Sequence, residues 1–116
     1  MPTFGDGVIT LPSGEVLTYT HKEVFKATAY CPADEGGQVT ALGTPTRVGA
    51  IAVDPSVIPY GTKMFIVSQD GQYIYGVAVA EDCGKSIKGN RIDLFYETDA
   101  ECVKFGIRDC DVYFLG

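Results

Sequence analysis

The tightest constraint on this chain is a hairpin. Lys63-Met64-Phe65-Ile66-Val67-Ser68 and Tyr73-Ile74-Tyr75-Gly76-Val77-Ala78-Val79 are β-branched and aromatic runs joined by Gln69-Asp70-Gly71-Gln72. Asp-Gly supplies the positive-φ residue that a tight hairpin turn requires, so the two runs are expected to pair antiparallel. The second run continues through Ala80 and delivers Asp82 at the exit of a buried strand. Eleven residues further on, Asp93 stands near the start of another apolar run, Ile92-Asp93-Leu94-Phe95. Two strand ends therefore hold two carboxylates around a loop rich in Gly, Lys and Asn. A site that moves protons on carboxylates needs that arrangement, because reach comes before pKa tuning. The plainer reading of either aspartate alone is a solvated or capping residue.

Other β signals surround this pair. Val8-Ile9-Thr10-Leu11 and Val16-Leu17-Thr18-Tyr19-Thr20 flank the turn residues Pro12-Ser13-Gly14-Glu15, so a hairpin is expected to open the chain and cover one side of the core. Glu23 to Tyr30 alternates polar and apolar residues with period two and is halted at Cys31-Pro32. Ala33 to Arg47 reads as loop, and a loop of that length in a compact domain usually lines or covers a site. Val48 to Val53 is a continuous apolar strand, followed by Asp54-Pro55-Ser56-Val57-Ile58-Pro59, a single turn with Asp54 as its cap. The one helix signal is the capping box Thr98-Asp99-Ala100-Glu101, continued by Val103 and Lys104 at helical spacing and stopped by Gly106. Asp111-Val112-Tyr113-Phe114-Leu115 closes the chain as a strand. Six or seven core strands and one helix suggest a small barrel, since closure removes exposed edges.

Composition excludes several functions. The 116 residues make one domain, and 46% hydrophobic with 21% charged residues fits an ordered globular chain. A formal charge of -6, with nine scattered basic residues, argues against nucleic acid, which needs clustered Lys and Arg. An acidic surface suits a neutral or cationic polymer better. No apolar run is long enough to span a membrane, and the start Met1-Pro2-Thr3-Phe4-Gly5 lacks a signal-peptide layout, so any export signal is expected outside this stretch. Cys31, Cys83, Cys102 and Cys110 form no CxxC pair and His21 is the only imidazole, which makes a zinc site a poor fit and leaves two disulfides or four thiols open. His21 is also remote from the aspartate motifs, so no Ser-His-Asp or Cys-His nucleophile is expected, and phosphate-binding glycine loops are lacking. No cofactor is expected.

Taken in order, Gly49-Ala50-Ile51-Ala52-Val53-Asp54-Pro55, Ile58-Pro59-Tyr60-Gly61-Thr62, Ala80-Glu81-Asp82-Cys83-Gly84 and Ile87-Lys88-Gly89-Asn90-Arg91-Ile92-Asp93-Leu94-Phe95 resemble the three-aspartate domain of bacterial cell-wall proteins. The resemblance runs from about Ala27 to Leu115 and extends to the catalytic barrel of membrane-bound lytic transglycosylase A and the stationary-phase muralytic proteins. More distantly it reaches the rare lipoprotein A and expansin barrels. It implies a mainly β fold, a six-stranded double-psi β-barrel with one short helix, over residues 27–116, preceded by an N-terminal hairpin extension over residues 1–26. It further implies a monomer working on peptidoglycan glycan strands outside the cytoplasm, in the cell wall or secreted, as a lytic transglycosylase that leaves a 1,6-anhydro end. The family's three aspartates fall on Asp54, Asp82 and Asp93, with Asp93 in the place of the catalytic acid/base and Asp82 its companion. Tyr30, Thr40 and Lys88 are candidates to line a sugar groove, and a core or surface role fits each equally well. After the second aspartate the usual Thr-Gly-Gly-Ala is replaced by Cys83-Gly84-Lys85-Ser86. The alternative function is an expansin-like module that binds or loosens wall glycan without cutting it. An extracytoplasmic site and an even cysteine count lead to two expected bridges, Cys102 with Cys110 and Cys31 with Cys83.

Overall fold

The computed structural model describes residues 2–31 and 39–115. In chain order they form β1 (Thr3–Phe4), β2 (Val8–Thr10), β3 (Val16–Tyr30), β4 (Ala50–Ala52), β5 (Lys63–Ser68), β6 (Ile74–Asp82), β7 (Arg91–Phe95), α1 (Asp99–Phe105) and β8 (Arg108–Leu115). Hydrogen-bonded neighbours run β3-β7-β4-β6-β5-β8, and β8 pairs back to β3, so six strands close into a barrel. The pairs β3–β7 and β4–β6 are parallel, and the other contacts around the ring are antiparallel. This is the mainly β, six-stranded double-psi barrel with one short helix that the motifs imply. The runs Val16–Thr20 and Glu23–Tyr30 form one strand, irregular only between Tyr19 and His21 in its register with β8, so residue 26 lies inside β3.

Alternation sorts the side chains. Phe25 and Ala27 of β3, Ile51 and Val53 at β4, Met64 and Ile66 of β5, Ala78 and Ala80 of β6, Ile92 and Leu94 of β7, and Val112 and Phe114 of β8 form one buried cluster. Successive strand residues point to opposite faces, so the residues between these face outward. The outer faces meet two fates. Phe65 and Val67 of β5 and Tyr113 of β8 are buried under the N-terminal hairpin, against Ile9, Leu11, Leu17 and Tyr19. The ring of Phe4 stacks on Tyr113 at 4.9 Å, and Tyr19 meets it edge-on at 5.0 Å. The hairpin therefore covers the outside of the β5/β8 wall, which explains why Met64 to Ser68 is buried continuously instead of alternately. The outer face of β7, β4 and β6, on the other side of the ring, lies away from the hairpin cluster.

Ile9 is fully buried and is the centre of this second cluster. Ile9→Ala is expected to cost ~2–5 kcal/mol, the range for truncating a buried Ile. Denaturant titration checks this, and an unchanged midpoint would mean that the hairpin is not docked in solution.

Helix α1 starts with the expected capping box. The Thr98 hydroxyl accepts from the Glu101 N–H, and the Glu101 carboxylate accepts from the Thr98 N–H. Gly106 ends it at φ 65°, donating its N–H to the Cys102 carbonyl. Its apolar anchor is Phe105, while Val103, which the spacing pointed to, is 81% exposed.

Neither expected disulfide is present. Cys110 belongs to the barrel core, opposite Phe25 and Ser68 in the strand registers, and burial pushes its thiol up to about 12. Gly106 turns the chain between α1 and β8, so nearness in sequence does not bring Cys102 to Cys110. Cys83 is exposed beside Tyr60, whereas Cys31 is buried beside α1, in contact with Cys102.

Candidate active site

Asp93 sits at the middle of β7, flanked by Thr28 in the parallel register with β3 and by Ala52 in the antiparallel register with β4. Ile92 and Leu94 face the core, so Asp93 faces out. Thr28 Oγ1 donates to Asp93 Oδ1 at 2.9 Å. Burial pushes the Asp93 carboxyl above its ordinary value, and the negative charge of Asp82 adds to this; the Thr28 hydrogen bond and the Arg91 charge oppose it.

Asp82 reaches the same face because of a bulge. Ile51 pairs with Ala80, but the next residue, Ala52, pairs with Asp82, so Glu81 is skipped. One extra residue reverses which side chain faces which way. Without the bulge Glu81 would stand opposite Ala52. With it, Asp82 and Asp93 flank a single alanine, about two strand spacings or ~10 Å apart at Cα. Ala52 thus forms a low floor between two carboxylates. Asp82 Oδ1 accepts from the N–H of Cys83 at 2.9 Å and of Ala41 at 3.0 Å. Tyr30, on the same face of β3 as Thr28, carries its hydroxyl to 3.5 Å from Asp82 Oδ2. Burial raises the Tyr30 pKa well above its ordinary value, and the charges of Asp82 and Asp93 raise it further, so the phenol stays a donor. Its ring meets Phe95 edge-on at 5.3 Å.

The displaced Glu81 turns to the segment before β4. Its carboxylate takes a two-pronged bond from Arg47 at 2.8 Å per prong, and Thr44 Oγ1 donates to it at 2.5 Å. Arg47 is the largest of the causes that lower its pKa to about 2. Thr40 joins this network rather than the surface: it is buried, and its Oγ1 is 2.6 Å from that of Thr44. The result anchors 39–47 to the end of β6 and brings the Ala41 N–H to Asp82. The remainder of the long loop, residues 32–38, lies outside the described residues.

Asp54 is placed differently. Its Oδ2 accepts from the Gly89 N–H at 2.9 Å, and its Oδ1 accepts from the Ser56 N–H and hydroxyl at 3.0 and 2.7 Å. These bonds, Gly89 first, lower its pKa to about 2. Asp54 therefore ties the turn after β4 to the loop before β7, and Gly89 turns there at φ 67°. Lys88 is exposed beside it. Asp54→Ala is expected to lower Tm and to loosen the 84–90 loop, read as faster amide exchange at Gly89. Unchanged exchange would show that the bond does not hold the loop.

The structure thus brings together Asp93, Asp82 and Tyr30, and sets Asp54, Thr40 and Lys88 around them in the adjoining loops. Thr28, Arg91, Glu81, Arg47 and the Ala41 N–H were missed by sequence reasoning. Thr28 was accessible, since alternation puts it opposite Phe25 and Ala27 and beside Tyr30. Arg91, two residues before Asp93 on the same face, has a buried Nε with no hydrogen-bond partner among the described residues. Among those residues no group of three or more His, Cys, Asp or Glu has a metal-holding geometry.

A closed barrel with an acid pair on its β7/β4/β6 wall defines a carboxylate-site β-barrel. The chain belongs to the 3D domain family, whose model matches residues 49–116. It is 38% identical over 94 residues to the cell wall-binding protein YocH of Bacillus subtilis, covering 77% of this chain and 31% of that protein. Among solved structures it resembles MltA from E. coli with a TM-score of 0.58 at 27% identity, covering 69% of this chain and 28% of MltA. It also resembles LtgG, a lytic transglycosylase of Burkholderia pseudomallei, with a TM-score of 0.55 at 34% identity, covering 68% and 26%. The chain spans about a third or less of the length of these relatives.

Proposed function

We propose that this domain is a lytic transglycosylase of peptidoglycan, acting outside the cytoplasm in the cell wall or as a secreted protein. It cuts the bond between MurNAc and GlcNAc and leaves a 1,6-anhydro-MurNAc end. The observation that carries this reading is the pair of carboxylates across Ala52, with the Asp93 carboxyl raised by burial and by the Asp82 charge. Likeness to MltA and LtgG supports the reaction class.

Hydrolysis of a glycosidic bond usually takes two carboxylates, one as acid and one to activate water or attack carbon. A lytic transglycosylase needs only one acid/base. Asp93 begins protonated and gives its proton to the departing glycosidic oxygen. The sugar's own C6 hydroxyl then attacks the anomeric carbon, and the Asp93 carboxylate takes the proton that this hydroxyl loses. Because nucleophile and electrophile share one ring, the effective concentration is high. The Asp82 charge opposes a second one on Asp93, while Thr28 fixes the Oδ1 edge of Asp93. Tyr30 offers an aromatic face and a donor at the cleft wall, and Lys88 lies at its rim. Thr40 and Asp54 work at one remove, by holding the loops.

The name of YocH favours a second reading, a wall-binding module that does not cut. Incubation with purified sacculi separates the two. Catalysis releases soluble muropeptides with time, whereas binding alone leaves the protein pelleted with intact sacculi. No release from sacculi that bind the protein would overturn the enzymatic reading.

A further inference from the structure

Outside the carboxylate cleft, two sulfurs meet where α1 packs on the end of β3. Cys31 Sγ donates to Asp99 Oδ1 at 2.8 Å. Asp99 and Cys102 are three residues apart on α1 and so share one face of the helix. That face brings Cys102 into hydrogen-bond contact with Cys31. Among the described residues the other two cysteines have no such neighbour: Cys110 is sealed in the barrel core and Cys83 stands on the surface beside Tyr60.

We propose that Cys31 and Cys102 are an oxidation site, joined as a disulfide by exchange with a small-molecule disulfide such as oxidised glutathione. Cys102, the more accessible, attacks the small disulfide as its thiolate, forms a mixed disulfide and expels one thiol. Cys31, having given up its proton to solvent, attacks the Cys102 sulfur and expels the second. The balance is two protein thiols and one small disulfide going to one protein disulfide and two small thiols. Burial pushes the Cys102 thiol up to about 12, with Cys31 next among the causes, so little thiolate is present at neutral pH and the exchange accelerates as pH rises. The bond would close a loop spanning most of the barrel and clamp α1 to the strand that carries Thr28 and Tyr30. The proposal is independent of whether the cleft cuts glycan, because its readout is covalent.

The test is to incubate the reduced protein with oxidised glutathione at several pH values, block remaining thiols by alkylation, and map peptides without reduction. The expected product is a Cys31 peptide joined to a Cys102 peptide, lighter by two hydrogens than the sum of the two, with Cys83 and Cys110 alkylated or carrying glutathione singly. Its rate should rise with pH, and Tm should rise by roughly 10 °C on oxidation, as expected for a cross-link closing a long loop. Neither the cross-link nor the Tm gain should occur in Cys102→Ser. Cys31 and Cys102 each alkylated, each carrying glutathione alone, or either bridged to Cys83 or Cys110 in the wild-type protein would overturn the proposal without recourse to any variant.

Discussion

Asp93→Asn is expected to cut glycan release by ~10²–10⁴-fold, the range for losing general acid–base catalysis, while the barrel persists. The amide keeps the Oδ1 acceptor for Thr28 and the size of the side chain, but it cannot carry a proton. Stability should move the other way. Burial holds the Asp93 carboxyl above its ordinary value in the folded protein. Such a group contributes stability that is fully present below the unfolded-state pKa and is lost as pH rises through the folded one. An amide does not titrate, so the variant should melt close to wild type at about pH 3 and above it at about pH 7, since the usual Asp pKa lies near the first. A variant that melts below wild type at the higher pH would mean that the Asp93 charge is stabilised in the fold, contrary to a proton donor's needs.

Arg47→Ala is expected to lower stability by ~1–3 kcal/mol, the cost of leaving a buried acceptor without its donor, and to weaken the site in the same step. Glu81 is nearly buried, and Arg47 supplies two of the bonds to its carboxylate. The guanidinium is about half exposed, which keeps the loss below that of a fully buried pair. Without Arg47 the 39–47 segment keeps only the Thr44 and Leu42 bonds to Glu81, which holds the Ala41 N–H on Asp82 less firmly. Glycan release should therefore fall although Arg47 touches neither aspartate. The folded Glu81 pKa of about 2 lies below its ordinary value of 4.5, so the pair adds stability above the higher value that is lost as pH falls toward the lower. Denaturant titrations on both sides of this window should show a steeper acid loss in wild type than in Arg47→Ala. Equal slopes would mean that the ion pair contributes nothing in solution.

Most of the barrel was legible in the sequence because its signals are local. The Asp70-Gly71 turn, the Thr98–Glu101 capping box and the alternation of Glu23 to Tyr30 each act within a few residues, and each appears in the structure. Asp82 and Asp93 were legible as strand-borne carboxylates. The device that sets them on either side of Ala52 was not, because a bulge at Ile51/Ala52 shows itself only when β4 and β6 pair. The same holds for Glu81, whose place beside Asp82 gave no hint that one turns to Arg47 and the other to Tyr30 and the Ala41 N–H. The cysteine pairs went astray for a related reason. Loop length favours Cys102 with Cys110, but the direction in which α1 and β8 present their side chains favours Cys31 with Cys102.

The central claim is that Asp93 serves as acid and then base with the sugar's own hydroxyl as nucleophile. Mass analysis of the soluble products from purified sacculi tests it most directly. The account predicts muropeptides ending in 1,6-anhydro-MurNAc, each lighter by one water than the hydrolysed form and each depending on Asp93. Products ending in reducing sugars, or anhydro ends released at the wild-type rate by folded Asp93→Asn, would contradict it.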